Sequence, residues 1–542
     1  MSTYISRSTF IKALAAAGVA AAGKLYFDSK EDIQKIPCKM LGPSRELGHM
    51  VRDAAFKESD SAEGVRKKVL IVGGGIAGLS AAWSFQKAGF SDFALLEMEK
   101  SVGGNSSSGK NRISSYPWGA HYVPLANEES AYVRELFEEL GVITGYKAGL
   151  PEYNELYLCH APQERLYKDG VFQEGLVPKR GLQEFEDKQL GKFFQLVEQL
   201  RRSKGKDGKP AFAIPLDLSS GDEEFRSLDK ISMADWLKKN GLDSAPLRWY
   251  VNYCCRDDYG ASSDSVSAWA GLHYFAGRRG RACNSEHNSL VTWPEGNGYL
   301  VDRLKEKIRD RITTAAVVSK IKEQGEKIQV TYIDSESKKP YLCQCEYLIV
   351  CAPRFVAKHL FQVKGADLPS FVLPEYSPWM VANLSLRRLP AGRGEDIAWD
   401  NVSYYSESLG YVVATHQDIT TREAESVITY YLPLTRSTPS VERKRLLKTE
   451  QAEWVKFITA DLEKMHPGIS SQITSIELWP WGHGMVRPSV GYIWGDDRRK
   501  MQNKGGRIYF AHSDMSGISN FEEAQYQGVE AAKKILAELR VT

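Results

Sequence analysis

The chain has 542 residues, with 71 Lys plus Arg against 68 Asp plus Glu and a formal net charge of +3. So even a balance excludes the basic surface that neutralises a phosphate backbone, and nucleic acid is not an expected partner. With 42% hydrophobic and 26% charged residues the composition is globular rather than disordered or fibrous, and eight cysteines without CxxC spacing suggest neither a zinc site nor a disulfide frame.

In chain order, the first feature is a basic lead, Ser6-Arg7-Ser8-Thr9-Phe10-Ile11-Lys12, followed by a weakly apolar run from Ala13 to Gly23. The run is too short to span a bilayer, but a basic segment, a short apolar stretch and small residues at Ala20 to Ala22 are the parts of an export signal. The order resembles a bacterial twin-arginine signal with Ser8 in place of the second arginine, so residues 1–27 are expected to direct export to the periplasm, the alternative being a cytoplasmic protein with a helical N-terminus. Residues 28–65 read as a linker. No other segment has 18 uninterrupted apolar residues, so no integral membrane span is expected.

From Lys67 the pattern becomes strand, turn, helix. A β-branched run ending at Val72 enters Gly73-Gly74-Gly75-Ile76-Ala77-Gly78, after which the spacing is helical. In this G-x-G-x-x-G, Gly73 allows the tight turn, Gly75 has no Cβ to block a pyrophosphate, and Gly78 lets helix and strand approach. The N–H groups of Ile76 and Ala77 open the helix toward an anion. A second strand, Phe93 to Leu96, ends at Glu97, whose carboxylate suits ribose hydroxyls and repels a 2′-phosphate. The spacing predicts a dinucleotide-binding βαβ unit. Further on, Val133, Leu136, Phe137 and Leu140 mark a helix closed by Gly141, and the run 201–210 reads as a solvated loop. A helix is predicted over 298–311, strands at 328–332, 347–351 and 508–511, and a terminal helix with Ala524, Gly528, Ala531, Ile535 and Leu539 on one face. Cys343-x-Cys345 reads as two packing residues on one face of a strand.

After Glu97 the run Ser101-Val102-Gly103-Gly104-Asn105 resembles the second glycine doublet of the flavin-containing amine oxidase superfamily, which includes protoporphyrinogen oxidases and phytoene desaturases. The likeness continues in Trp118-Gly119-Ala120-His121-Tyr122, in Asn297-Gly298-Tyr299-Leu300, at Val318, in Ala352-Pro353, and in Phe510-Ala511-His512-Ser513-Asp514 before the terminal helix. What it implies is FAD, held by Gly73, Gly75, Ile76, Ala77, Gly78, Glu97, Gly103, Gly104 and Asn105, with Val318 at the adenine and Asp514 near the ribityl chain. Gly119, Ala120 and His121 would pass beside the flavin ring. The implied fold is α/β: a discontinuous Rossmann-like FAD-binding domain (66–125, 286–355 and 476–542) and an α+β substrate-binding domain (126–285 and 356–475).

Three positions depart from the family pattern. Asn105 stands where an arginine usually meets the pyrophosphate, an extra residue precedes Asp514, and Asn383 falls where amine oxidases place a lysine beside the flavin, which argues against amine oxidation of the usual kind. Trp481 in Trp479-Pro480-Trp481-Gly482-His483-Gly484 is placed like the aromatics that wall the flavin, and His483 and His121 are the candidate proton carriers beside it. Arg256-Asp257-Asp258-Tyr259 reads mainly as an ion-pair network, and His273 as a core histidine. The expectation is an FAD-dependent oxidase, dehydrogenase or desaturase acting on an apolar or amine-bearing small molecule, the aromatic content favouring the apolar, with its electron acceptor open. An FAD-dependent isomerase without net redox, or a non-catalytic FAD-stabilised assembly protein, are the alternatives.

Overall fold

The computed structural model describes residues 36–53, 61–361, 373–418, 425–502 and 506–541, so the export signal read at 1–27 lies outside the described residues. No described helix is long and apolar enough to cross a membrane.

The strand β1 (Val69–Val72), the helix α1 (Ile76–Lys87) and the strand β2 (Phe93–Leu96) form the expected unit. β1 and β2 pair in parallel, Val69 with Phe93 through Val72 with Leu96. They lie in a five-stranded parallel sheet ordered Ile312–Thr313, β2, β1, Tyr347–Val350, Ile508–Phe510. Alternate residues of these short strands enter two different cores, which is why they read as unbroken apolar runs. Val69, Ile71, Leu95 and Ile349 meet α1 and the terminal helix α2 (Phe521–Glu538). Leu70, Val72, Leu96 and Val350 meet a four-stranded sheet that includes Val330, Cys343 and Cys345, so the two cysteines do pack on one strand face. The helices approach closely because Gly528 of α2 lies over α1, where a Cβ would come within 2.1 Å of the Ala77 carbonyl oxygen.

The second layer is an eight-stranded sheet whose longest strands, β3 (Tyr376–Leu386) and β4 (Ile473–Val486), lie third and second from one edge. β3 is buried along its length, with Trp379 and Val381 facing the helices Glu184–Arg202, Ala245–Tyr259 and Ala268–Ala276, while Trp479, Trp481 and Met485 of β4 are partly buried on that side. Three details differ from the sequence reading. Cys38–Met40, within the stretch read as linker, is an edge strand of this sheet, in parallel register with Ile476, Glu477 and Leu478 of β4, and Ala62–Arg66 joins the four-stranded sheet. Residues 476–486, grouped above with the FAD-binding segments, belong to β4 and so to this second layer. The helix predicted over 298–311 ends at Glu306 and gives way to a short 3₁₀ turn at Arg309–Arg311.

Candidate functional site

The glycine turn after β1 is built from backbone alone. Gly73 has φ +106, a conformation side chains resist, while Gly75 is extended at the N-cap of α1. A Cβ on Gly78 would fall 1.9 Å from the Gly73 carbonyl oxygen, whereas a Cβ on Gly75 would meet no protein atom within 4 Å. The open space lies at the end of a helix with no side-chain cap, so the first-turn N–H groups of Ile76 and Ala77 are left for an anion. The second glycine doublet packs against this turn: Gly103 N–H donates to the Gly74 carbonyl at 2.8 Å, and a Cβ on Gly104 would be 3.4 Å from Gly75 Cα.

Glu97 closes the cradle, accepting from Gly74 N–H at 2.6 Å and Glu99 N–H at 2.8 Å. Burial pushes its carboxyl up to about 6 and these N–H groups pull it back, so it is mostly ionised at neutral pH and retains acceptor capacity for ribose hydroxyls. Ala316 N–H donates to the Glu97 carbonyl at 2.8 Å, which anchors the next strand and brings Val318 two residues beyond that point.

Asp514 is buried. Its Oδ2 accepts from Arg354 N–H at 2.8 Å and from the Tyr376 hydroxyl, while Oδ1, 3.0 Å from His512 Nδ1, has no hydrogen-bonded partner. Burial raises this carboxyl, yet His512, the Tyr376 hydroxyl and the Arg354 N–H together hold it below the usual carboxylate range. The extra residue in the motif has a use: His512 Nδ1 caps the turn Ser513–Met515 by accepting Asp514 N–H at 3.1 Å.

A cavity begins where the cradle ends, bounded by 119–124, β3, β4, the start of α2 and the helices Ala245–Tyr259 and Ala268–Ala276. Asn105 reaches it without an arginine's charge and donates through its amide to the Gly484 carbonyl. Trp481 lines the wall, its indole N–H donating to Trp118 O at 2.7 Å. His121 stacks on Tyr431 with ring centroids 4.5 Å apart, and Gly119 O accepts from both His121 Nδ1 (3.2 Å) and the Tyr431 hydroxyl (2.9 Å). Burial pushes His121 down to about 4, so the imidazole is neutral at pH 7. His273 also lines the cavity, but its Nε2–H donates to the Ala213 carbonyl at 2.8 Å and its ring stacks on Trp269, as befits a core residue.

His483 is a correction. A regular β3–β4 ladder that pairs Ser377 with Met485 would pair Trp379 with His483; the observed partner of Trp379 is Trp481. The slack forms a bulge at 482–484 that carries His483 out of the cavity wall and against Phe355, 4.0 Å between centroids. Burial, with Arg443 adding to it, pushes His483 down to about 3. Asn383 is displaced too. Its amide donates to Pro117 O at 3.0 Å and accepts from the Thr429 hydroxyl at 2.6 Å, while Trp379 and Val381 are the β3 residues that reach the cavity. No lysine lines the cavity among the described residues.

What sequence reasoning did not assemble is an acidic wall. Arg256 leaves the supposed network to donate to the carbonyls of Glu407 and Ser408, and Asp258 pairs instead with Arg278 at 2.5 Å. Asp257 faces the cavity with Asp400, which opens the strand Asp400–Ser403 and accepts from the Tyr253 hydroxyl at 3.3 Å. Burial, then Asp258, pushes Asp257 up to about 7, and burial with Asp257 raises Asp400 well above its ordinary value. The Asp257-Asp258 pair in an apolar helix was a visible signal; Asp400 carried none. Among the described residues no group of three His, Cys, Asp or Glu is arranged to hold a metal ion.

The residues present fit FAD: an uncapped helix end over open space, an acid at the ribose position, and a buried, unpartnered Asn297 Oδ1 on the cavity wall. Comparison with known proteins agrees. A sequence profile of flavin containing amine oxidoreductases matches residues 76–536. The chain is 26% identical over 303 residues to Oxidoreductase PigB of Serratia sp. (strain ATCC 39006), covering 51% of this chain and 42% of that one. It is 26% identical over 207 residues to a probable flavin-containing monoamine oxidase A of Dictyostelium discoideum, covering 38% and 40%, so these matches span well under half of each curated relative. Its fold is similar to that of a putrescine oxidase triple mutant, with TM-score 0.65 at 15% identity over 88% of this chain and 99% of that chain. The superfamily resemblance read from the glycine doublets is thus borne out, and the chain belongs to the flavin containing amine oxidoreductase family, with FAD as its cofactor.

Proposed function

We propose that the protein is an FAD-dependent oxidoreductase whose small-molecule substrate carries a protonated nitrogen at one end and an apolar body at the other. The observation that carries this is the wall of Asp257, Asp258 and Asp400, opposed by Arg278, the one Lys or Arg lining the cavity among the described residues, in a cavity that Trp481 and Tyr431 also line. Three half-buried carboxylates crowded beside one guanidinium do not all ionise, and a cation among them restores the balance. The apolar substrate favoured by the aromatic content fits this wall less well, and an amine would be oxidised here without the lysine that amine oxidases place beside the flavin, since none lines the cavity among the described residues.

The cofactor supplies the two-electron chemistry when bound. The chain's residues orient and desolvate: Tyr431 and Trp481 confine the apolar body, Asp257 and Asp400 hold the nitrogen, and neutral His121 adds no competing positive charge. At 15% identity the putrescine oxidase likeness speaks to fold, so the substrate reading rests on the carboxylates.

The test is anaerobic stopped-flow bleaching of the FAD-loaded protein by alkyl and aryl amines, set against the matched alcohols and hydrocarbons. Amines should reduce the flavin. Because the Asp257 carboxyl sits at about 7 in the free protein and a cation draws its proton off, amine affinity should rise toward pH 7 by up to about tenfold per pH unit. It should level above that, until the amine itself deprotonates. Reduction by the hydrocarbons alone would refute the proposal.

A further inference from the structure

We infer that Glu522 is a proton gate, standing between the catalytic cavity and a second cavity and passing outward the proton that substrate oxidation sets free. This rests on the oxidoreductase reading above. Glu522 lies in the first turn of α2, is 4% exposed, and lines both cavities.

On its inner side stand Asp258 and Arg278, with Tyr153 close by. On the outer side the second cavity, about 240 Å³, is lined by Glu129, Tyr132, Gln525, Tyr526 and Glu530. Gln525 donates through Nε2 to Tyr132 O at 3.1 Å, but its Oε1 is buried without a partner. A space of that size with an unpartnered oxygen holds water, since a single water needs only about 10–15 Å³. Beyond it, the Tyr132 hydroxyl donates to Glu530 at 2.6 Å and accepts from Lys533 Nζ at 3.0 Å, so the polar path reaches the outer surface.

The other acids nearby are engaged elsewhere. Glu129 pairs with Arg279 at 2.6 Å, and Glu523 accepts from Leu216 N–H at 2.6 Å with Asp217 beside it. Burial raises the Glu522 carboxyl, its own N–H and Arg278 lower it and Asp258 raises it again, to about 7, where it can both take and release a proton at neutral pH.

The balance is simple. Oxidation of an H–C–N–H unit to C=N removes one hydrogen with two electrons as hydride to the bound FAD. The N–H bond breaks and leaves one proton in the cavity. The Glu522 carboxylate forms an O–H bond with it on the inner side, and that bond breaks on the outer side to protonate water in the second cavity. No further oxidant is consumed.

The experiment needs no natural substrate. FAD-loaded protein is photoreduced, then reoxidised with ferricyanide in weak buffer while an indicator dye follows proton release and absorbance follows the flavin. In the unaltered protein the two traces should coincide. In Glu522→Gln the proton trace should lag by roughly 10²-fold with the flavin trace unchanged. Glu522→Asp should restore much of the rate, and Gln525→Leu, which keeps Glu522 but dries the second cavity, should produce a lag of its own. Proton release that keeps pace with reoxidation in folded, FAD-replete Glu522→Gln and Gln525→Leu proteins would overturn the inference. A protein that shows the lag yet is reduced by no amine would support the gate and count against the substrate reading alone.

Discussion

Replacing Gly75 separates cofactor binding from folding. Its backbone is extended at φ −73, ψ −175, which any residue adopts, and an added Cβ would touch no protein atom within 4 Å. Gly75→Val therefore costs the apoprotein little, but its methyls fill the space facing the N–H groups of Ile76 and Ala77. Losing two charge-assisted hydrogen bonds at about 1.5–3 kcal/mol each removes about 3–6 kcal/mol, or roughly 10² to 10⁴ in the FAD dissociation constant. Gly78→Ala is the contrast, because its Cβ would lie 1.9 Å from the Gly73 carbonyl oxygen and α1 could not stay where it is. Flavin absorbance after gel filtration and thermal melting of both apoproteins check the pair. Gly75→Val should be colourless with a near-normal melting temperature, and Gly78→Ala should melt lower with or without added FAD. A yellow Gly75→Val protein of full stoichiometry would refute the reasoning.

Trp481→Ala should raise KM and slow flavin reduction by roughly 10²-fold through looser substrate orientation, with FAD content little changed; equal loss of FAD would move Trp481 from the substrate to the cofactor. His483→Gln should leave reduction rates and their pH profile intact from about pH 5 upward, because the imidazole at about 3 is already neutral there, while the lost stack on Phe355 lowers stability by about 0.5–1.5 kcal/mol in a denaturant titration. The export reading remains a proposal that a folded reporter tests: residues 1–40 should carry it out of the bacterial cytoplasm, and Ser8→Arg should improve that.

The amino-acid sequence by itself determined what is local. Gly73, Gly75 and Gly78 specify a turn within six residues, the apolar run before them specifies a strand, and Glu97 follows at the end of the next, so cradle and cofactor were legible without a structure. The same holds for α2, whose face of Ala524, Gly528, Ala531, Ile535 and Leu539 was legible from its spacing, although the close contact of Gly528 with α1 was not. The tertiary structure alone decided what faces the cavity. One bulge between β3 and β4 swapped Trp481 for His483 as the partner of Trp379, since a shift in register turns a side chain to another surface and no periodicity in β4 announces it. The acids Asp257, Asp400 and Glu522 come from a helix, a strand of the eight-stranded sheet and the terminal helix, more than a hundred residues apart along the chain. Only the packing of those three elements around one cavity makes neighbours of them, and only burial in that shared space gives Asp257 and Glu522 protons to exchange near neutral pH.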